Sequence, residues 1–357
     1  MSSVRTALRL GQVRTLALLF AGYAACYYCR ADLSVATPLL VDELGRHGLS
    51  HGEALIRIGT LTSLGVLAYA LGKLFLTGLG DYWGGRRNFL IGVGGAAVFT
   101  LMFAAGGTVP VFTIAWLGNR LTQSLGWAGL IKVSSKWFNY SSYGSIIGIL
   151  SISYLVGDAL ARQQMGLLIG HGYGWRAVFL FAGVVAAVML LANLLWLRES
   201  RVEAGHAEAT PNPLNLFAAT ESPPASIRAL QMYLGLTATA GAQLLLMSLR
   251  PGATSPLLPL AAIGLVAFSL LGPYSYLGGA FALDFGGKQA SAASSGIIDG
   301  IGYLGGVLAG DGVARVAVAF GWDGVFVTLA AVSAAAALCA GALYLLNTRA
   351  VTEVLHA

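Results

Sequence analysis

Apolar stretches of about 20 residues, the length that crosses a bilayer as one helix, recur along most of this chain. Only 10% of its residues are charged, against about 25% in soluble domains. No stretch alternates as a transmembrane β-strand does. The sequence therefore predicts an all-α polytopic membrane protein with about 10 transmembrane helices, six and then four. The candidate spans lie near 15–40, 56–80, 88–106, 109–133, 145–170, 175–197, 229–250, 256–283, 290–314 and 322–346.

A polar stretch divides the candidate spans into two sets. We predict an N-terminal six-helix bundle at 1–198, a cytoplasmic linker at 199–227 and a C-terminal four-helix half-bundle at 228–357. With the N-terminus inside, twelve Lys and Arg residues fall on the inner side and six on the outer side. We therefore expect a bacterial-type inner (plasma) membrane protein with both termini cytoplasmic.

Two segments of the first half recur in the second half. SYLVGD at 153–158 is similar to GYLGGV at 302–307, and GYGWRAVFLFAG at 172–183 is similar to AFGWDGVFVTLA at 319–330. Both copies run in the same membrane direction, which indicates a parallel repeat of the kind found in transporters. Since the last two helices of each half match, the second half lacks counterparts of the first two helices.

Three basic residues, Arg30, Lys73 and Arg120, lie inside predicted spans, where an ionised side chain is costly and normally faces a protein interior or an aqueous cavity. Arginine offers a planar fork for phosphate or carboxylate, and lysine adds a point charge. We therefore predict that Arg30 and Lys73 are anion ligands. The alternative is internal ion pairing, for example of Arg30 with Asp32.

Three aspartates lie within spans, at Asp32, Asp158 and Asp299. For Asp158 and Arg162, four residues apart, the ion pair is the preferred interpretation.

Other motifs argue against enzymatic chemistry. Cys26 and Cys29 have metal-ligand spacing but lie inside an apolar helix, so we interpret them as packing residues. His47 and His51 have no visible third ligand, so we predict no metal site there. The chain has no P-loop for ATP hydrolysis and no Ser/His/Asp arrangement. We expect no catalytic residues, no metal, no cofactor and no nucleic-acid partner.

Two motifs resemble the major facilitator superfamily. GLGDYWGGRR at 78–87 resembles the superfamily's signature inner loop, and RLTQSLGWA at 120–128 resembles its helix-four pattern. The resemblance implies roles in gating for Asp81, Arg86 and Arg87 and in coupling for Arg120. To these candidates we add the intramembrane residues Asp32, Asp158 and Asp299.

A closer resemblance, over nearly the whole chain, is to the organophosphate:phosphate antiporter family. GYAACYYCRADLSVATPLL at 22–40 and YALGKLFLTGLGD at 69–81 are similar to its first two helices. SLGWAGLIKVSSKWF at 124–138, GYLGG at 302–306 and FGWDG at 320–324 are similar to later ones. The resemblance implies that Arg30 and Lys73 hold a substrate phosphate and that Tyr303 faces the cavity.

The chain also departs from this family. Tyr154 stands where the family has a histidine, and the family's second phosphate-binding arginine belongs to one of the missing helices. Asp32 and Asp158 stand where the family usually has uncharged residues.

We expect a secondary active transporter that exchanges a small anionic, phosphorylated metabolite by alternating access. Tyr27, Trp127, Tyr154 and Tyr303 are the candidate cavity aromatics. Two alternatives remain: a transporter-like membrane sensor of a phosphorylated metabolite, and a non-transporting paralogue. The expected partners are the small anion and the lipid bilayer, with a partner chain if the protein is a sensor or if the missing helices are supplied in trans.

Overall fold

The computed structural model describes residues 2–209, 225–249, 257–277, 281–287 and 289–355, and these residues are mostly helical. The helices are α1 Ser2–Arg46, α2 His51–Phe75, α3 Leu79–Trp83, α4 Gly85–Ala105, α5 Val109–Trp137, α6 Tyr140–Gly170, α7 Trp175–Trp196, α8 Ala225–Ser248, α9 Leu257–Ser275, α10 Phe281–Gly286 and α11 Ser291–Leu355. The predicted all-α membrane fold is confirmed.

Six helices in the described part of the chain are long and apolar enough to cross a membrane. They include α2, α4 and α7, and the total of about ten spans stays a prediction. Each predicted span of the first half overlaps one long helix, with shifted ends: α1 extends from Ser2 to Arg46 instead of 15–40. Of the predicted linker, residues 210–224 lie outside the described residues, as do Arg250 and Lys288 among the basic residues used for orientation.

Local sequence signals fix two helix starts. Ser50 and Glu53 form a capping box at α2, in which Ser50 Oγ accepts the Glu53 N–H at 3.3 Å and the Glu53 carboxylate accepts the Ser50 N–H at 2.9 Å. Pro110 stands in the first turn of α5, where its missing N–H costs no helical hydrogen bond.

Glycines bring the helices of the N-terminal part into close contact. A side chain at Gly92 of α4 would lie 2.9 Å from the Gly126 backbone of α5, and one at Gly157 of α6 would lie 2.5 Å from the Ala24 carbonyl of α1. Such contacts suit membrane helices, which associate by close packing because lipid already solvates their apolar side chains. Glycines at such positions therefore have a structural role in helix packing.

The two predicted C-terminal spans, 290–314 and 322–346, correspond to α11, which contains a break in helical geometry at Gly321. Its φ of 68° and ψ of −173° favour glycine. Gly321 corresponds to Gly174 of the first repeat copy, which precedes the start of α7. The repeat therefore places a helix boundary at the same sequence position in each copy.

The chain divides into two compact units. The first comprises Met1–Pro211 with Phe285–Leu304, so that it contains α1–α7 and the beginning of α11. The second comprises Asn212–Asp284 with Gly305–Ala357. The apolar cluster of the second unit is formed by Met232, Leu236, Phe281, Ala337 and Ala340. The predicted halves at 1–198 and 228–357 stay a prediction.

Candidate functional site

The first unit contains a partly buried arginine in an aromatic cage. Arg30 lies on α1 with its guanidinium 4.6 Å from the ring centroid of Tyr27 and 4.4 Å from that of Tyr69. Its Nε donates to Gln123 Oε1 at 2.7 Å, and its Nη1 donates to the Tyr27 hydroxyl at 3.3 Å. Its Nη2 is buried and has no partner among the described residues. The described residues therefore supply no acceptor for this one nitrogen of the guanidinium.

A second basic residue lies beside this cage. Lys73 of α2 is fully buried, and its Nζ lies 2.7 Å from Asp299 Oδ2 of α11. One turn away, the Tyr69 ring contacts the Tyr303 ring with centroids 4.5 Å apart. Tyr69 and Lys73 are spaced i, i+4, as are Asp299 and Tyr303, so each pair occupies one helix face. An ion pair and an aromatic contact, one turn apart, thus join α2 to the N-terminal part of α11.

The remaining predicted binding residues reach the cage through aromatic contacts. The Tyr154 ring lies 5.7 Å from the Tyr27 ring, and the Trp127 ring lies 5.2 Å from Tyr23, which itself lies 5.6 Å from Tyr27. The structure therefore brings all six predicted binding residues into one connected cluster. They are Tyr27, Arg30, Lys73, Trp127, Tyr154 and Tyr303.

The sequence interpretation missed Tyr23, Tyr69 and Gln123. Tyr23 and Tyr69 each stand four residues before a predicted site residue, so helical spacing was the signal that could have identified them. Gln123 belongs to the RLTQSLGWA motif. Besides accepting from Arg30, Gln123 donates to the Cys29 carbonyl at 3.3 Å and to Asn119 Oδ1 at 2.7 Å. These contacts hold its acceptor oxygen toward Arg30.

Of the predicted coupling residues Asp32 and Arg120, the first is buried and the second is partly buried. Asp32 is fully buried; its Oδ1 accepts the Leu33 N–H at 2.6 Å, and its Oδ2 has no partner among the described residues. Arg120 stacks 4.2 Å from the Trp116 ring centroid and donates to the Arg30 carbonyl at 3.4 Å. Within the described part of the chain, Arg30 and Asp32 form no ion pair. Lys73, in contrast, pairs with Asp299, so the ion-pair alternative is supported for Lys73.

The inner-loop motif is fixed by two carboxylates, each of which caps a helix. Asp81 accepts the Ala292 and Ala293 N–H groups of α11 at 3.2 and 2.8 Å, and Lys132 pairs with it at 2.7 Å. Backbone N–H groups at a helix start favour such negative charge.

Glu199 caps α4 in the same way. It accepts the Gly85 and Arg86 N–H groups at 2.9 and 2.7 Å, and Lys136 pairs with it at 2.6 Å. Lys132 and Lys136 lie one turn apart on α5, so one helix face supports both caps. Arg86 donates to the Leu194 carbonyl at 2.8 Å, whereas Arg87 is exposed.

Two smaller groups have local roles. Asp158 and Arg162 of α6 form the expected i, i+4 ion pair at 2.8 Å, with both side chains partly exposed. Cys26 and Cys29 are buried free thiols, and Cys29 Sγ lies 3.5 Å from the Ala182 carbonyl. Among the described residues, no group of three His, Cys, Asp or Glu side chains is arranged to hold a metal ion.

Comparison with known proteins identifies the class. The family model described as Major Facilitator Superfamily matches residues 16–228, more than half of the chain. The human organic anion transporter MFSD10 (TETRAN) has the same fold, with a TM-score of 0.71 and 13% identity over 93% of this chain and 99% of that one. The protein belongs to the Major Facilitator Superfamily and is an integral membrane protein.

Several curated relatives are named as transport or sensor proteins, and those named for hexose phosphate or glycerol-3-phosphate transport agree with the resemblance that the sequence motifs carry. The chain is 25% identical over 178 residues to the "Probable hexose phosphate transport protein" of Chlamydia trachomatis, covering 50% of this chain and 37% of that protein. It is 26% identical over 190 residues to "Membrane sensor protein UhpC" of Escherichia coli, covering 53% of this chain and 41% of that protein. The matches therefore span about two fifths of the relatives' own length.

Proposed function

We propose that the protein is a secondary carrier that exchanges a small phosphorylated metabolite for phosphate by alternating access. The observation that carries the proposal is the partly buried Arg30 side chain, whose Nη2 is buried and has no partner among the described residues. Leaving a charged donor unsatisfied in a protein interior costs about 1–3 kcal/mol or more, so such a group is expected to receive an acceptor from a ligand or from a buried water. A phosphate oxygen is a suitable acceptor because Arg binds phosphate with a planar fork of donors.

The surroundings of Arg30 suit a ligand with an anionic head and a polar body. The Tyr27 and Tyr69 rings both lie against the guanidinium, and Gln123 accepts from its Nε, which leaves Nη2 for an anion. Lys73 supplies a second cation near the same Tyr69 ring, with Nζ 5.5 Å from its centroid. The named function of the chlamydial relative, hexose phosphate transport, supports the same substrate class.

The inner-loop network fits the conformational part of the proposal. Asp81 and Glu199 hold the starts of α11 and α4 through backbone N–H groups, and such charge-assisted contacts are strong but reversible. We propose that Asp81, Arg86 and Arg87 serve in gating and that Asp32 and Arg120 serve in coupling. We further propose an inner-membrane location with both termini cytoplasmic.

A membrane sensor is the second candidate function. It is favoured by the similarity to a protein named as a membrane sensor, which matches about as much of this chain as the transport protein does. A sensor would keep the Arg30 anion site and would not carry substrate across the bilayer.

The test is phosphate exchange in reconstituted liposomes. Vesicles loaded with unlabelled phosphate should take up external labelled phosphate through the wild-type protein, and Arg30→Lys should abolish most of this uptake because the fork geometry is lost. Arg46→Lys is the matched control, since Arg46 lies at the exposed end of α1 with 75% of its side chain accessible. Phosphate binding without uptake would support the sensor, and normal uptake by Arg30→Lys would refute the ligand role of Arg30.

A further inference from the structure

We propose that Asp299 is an internal competitor for the anionic substrate: its carboxylate occupies Lys73, and a phosphate must displace it to bind both Arg30 and Lys73. The inference rests on the proposed function and names the residue that limits anion binding at the same site. The Lys73 ammonium and the Asp299 carboxylate form an ion pair, with Nζ and Oδ2 2.7 Å apart.

The two partners differ in accessibility. The Lys73 side chain is 1% exposed, whereas the Asp299 side chain is 18% exposed. The carboxylate is therefore the partner that solvent and solutes can reach, and an approaching anion meets a negative charge before it meets the ammonium. A second anion at Lys73 would lie close to the Asp299 carboxylate, and like charges at such short range repel strongly in a weakly polar interior.

Backbone packing fixes Asp299 in this position. The stretch GIIDG, residues 296–300, brings two glycines to the α2 surface on either side of Asp299. A side chain at Gly296 would lie 2.5 Å from the Lys73 carbonyl and would clash with the Thr77 hydroxyl, and one at Gly300 would lie 2.7 Å from the Leu74 side chain. The carboxylate therefore faces the lysine because the two helix backbones touch there.

The two cations of the site are consequently in different states. Arg30 donates to the neutral groups of Gln123 and Tyr27 and forms no ion pair within the described ranges, whereas the Lys73 charge is compensated by Asp299. Arg30 holds no internal anion that a substrate must displace, whereas a substrate gains Lys73 only when Asp299 moves away. Since Asp299 also belongs to the contact between α2 and α11, its displacement would loosen that contact when substrate binds.

The test is a double-mutant cycle on phosphate affinity. Equilibrium binding of labelled inorganic phosphate is measured on the purified full chain in detergent for the wild type, Asp299→Asn, Lys73→Met and the double variant. Asp299→Asn should bind phosphate about tenfold more tightly or better, because the competing charge is gone while an amide oxygen still faces Lys73. In the Lys73→Met background the same change should give little gain.

The outcomes separate the inference from the proposed function. Unchanged or weaker binding by folded Asp299→Asn, with wild-type binding that still depends on Arg30, would overturn the inference alone. An equal gain with and without Lys73 would also overturn it, because the effect would then be general electrostatics. Absence of phosphate binding by folded wild-type protein and by Asp299→Asn would overturn the proposed function and the inference together. Asp42→Asn, at an exposed position near the end of α1, is the matched control and should bind as the wild type does.

Discussion

Replacing Gly296 with alanine should destabilise the contact between α2 and α11. A β-carbon at Gly296 would clash with the Thr77 hydroxyl and lie 2.5 Å from the Lys73 carbonyl, a backbone atom that cannot rotate away. Overpacking of this kind costs about 1–3 kcal/mol. Alanine also gains about 1 kcal/mol of helix propensity over glycine, which partly masks the cost.

Gly302→Ala is the control that removes this masking. Gly302 lies on the same helix, and a β-carbon at this position would meet no atom beyond its own stretch of helix within 4 Å, so the variant gains the propensity without the clash. The difference between the two variants should therefore equal the steric cost, about 1–3 kcal/mol. Thermal unfolding in detergent, followed by the fluorescence of the seven tryptophans, should place Gly296→Ala several degrees below Gly302→Ala. Equal melting temperatures would refute the close approach of the two helices.

Two further substitutions test the cage and the loop network. Tyr69→Phe should keep phosphate affinity because the ring remains under Arg30, whereas Tyr69→Ala should weaken it about three- to thirtyfold by loss of a cation–π contact. Equal affinities of the two variants would contradict this role. Asp81→Asn should lower the free energy of unfolding by about 1–2 kcal/mol, because it removes the charge that caps α11 and pairs with Lys132. Thermal unfolding should show this loss relative to Asp42→Asn, and matching curves would count against it.

The sequence predicts the helices well because each one needs a long apolar run, and such runs are visible without a partner structure. Helix ends are less predictable, since flanking polar residues can continue a helix beyond the apolar region. α1 illustrates this by continuing to Arg46 in spite of Pro38. The end of α9 at Ser275, inside a span predicted to reach 283, is a second case.

The sequence indicates which charged residues belong to the site, but it does not indicate which of them pair with each other. An arginine and a lysine inside spans indicate an interior polar site whatever surrounds them. The Lys73–Asp299 pair, in contrast, joins positions 226 residues apart and depends on which faces of α2 and α11 meet. Glu199 is a similar case, because its capping of α4 spans 114 residues and no local motif indicates it.

Substrate exchange tests the central claim most directly. Liposomes containing the purified protein are loaded with labelled phosphate, and efflux is followed with and without external glucose 6-phosphate. The account predicts that external hexose phosphate accelerates phosphate efflux through the wild-type protein and has no such effect on Arg30→Lys vesicles. Efflux that external hexose phosphate leaves unchanged, from folded and correctly inserted wild-type protein, would contradict an exchange carrier for phosphorylated metabolites.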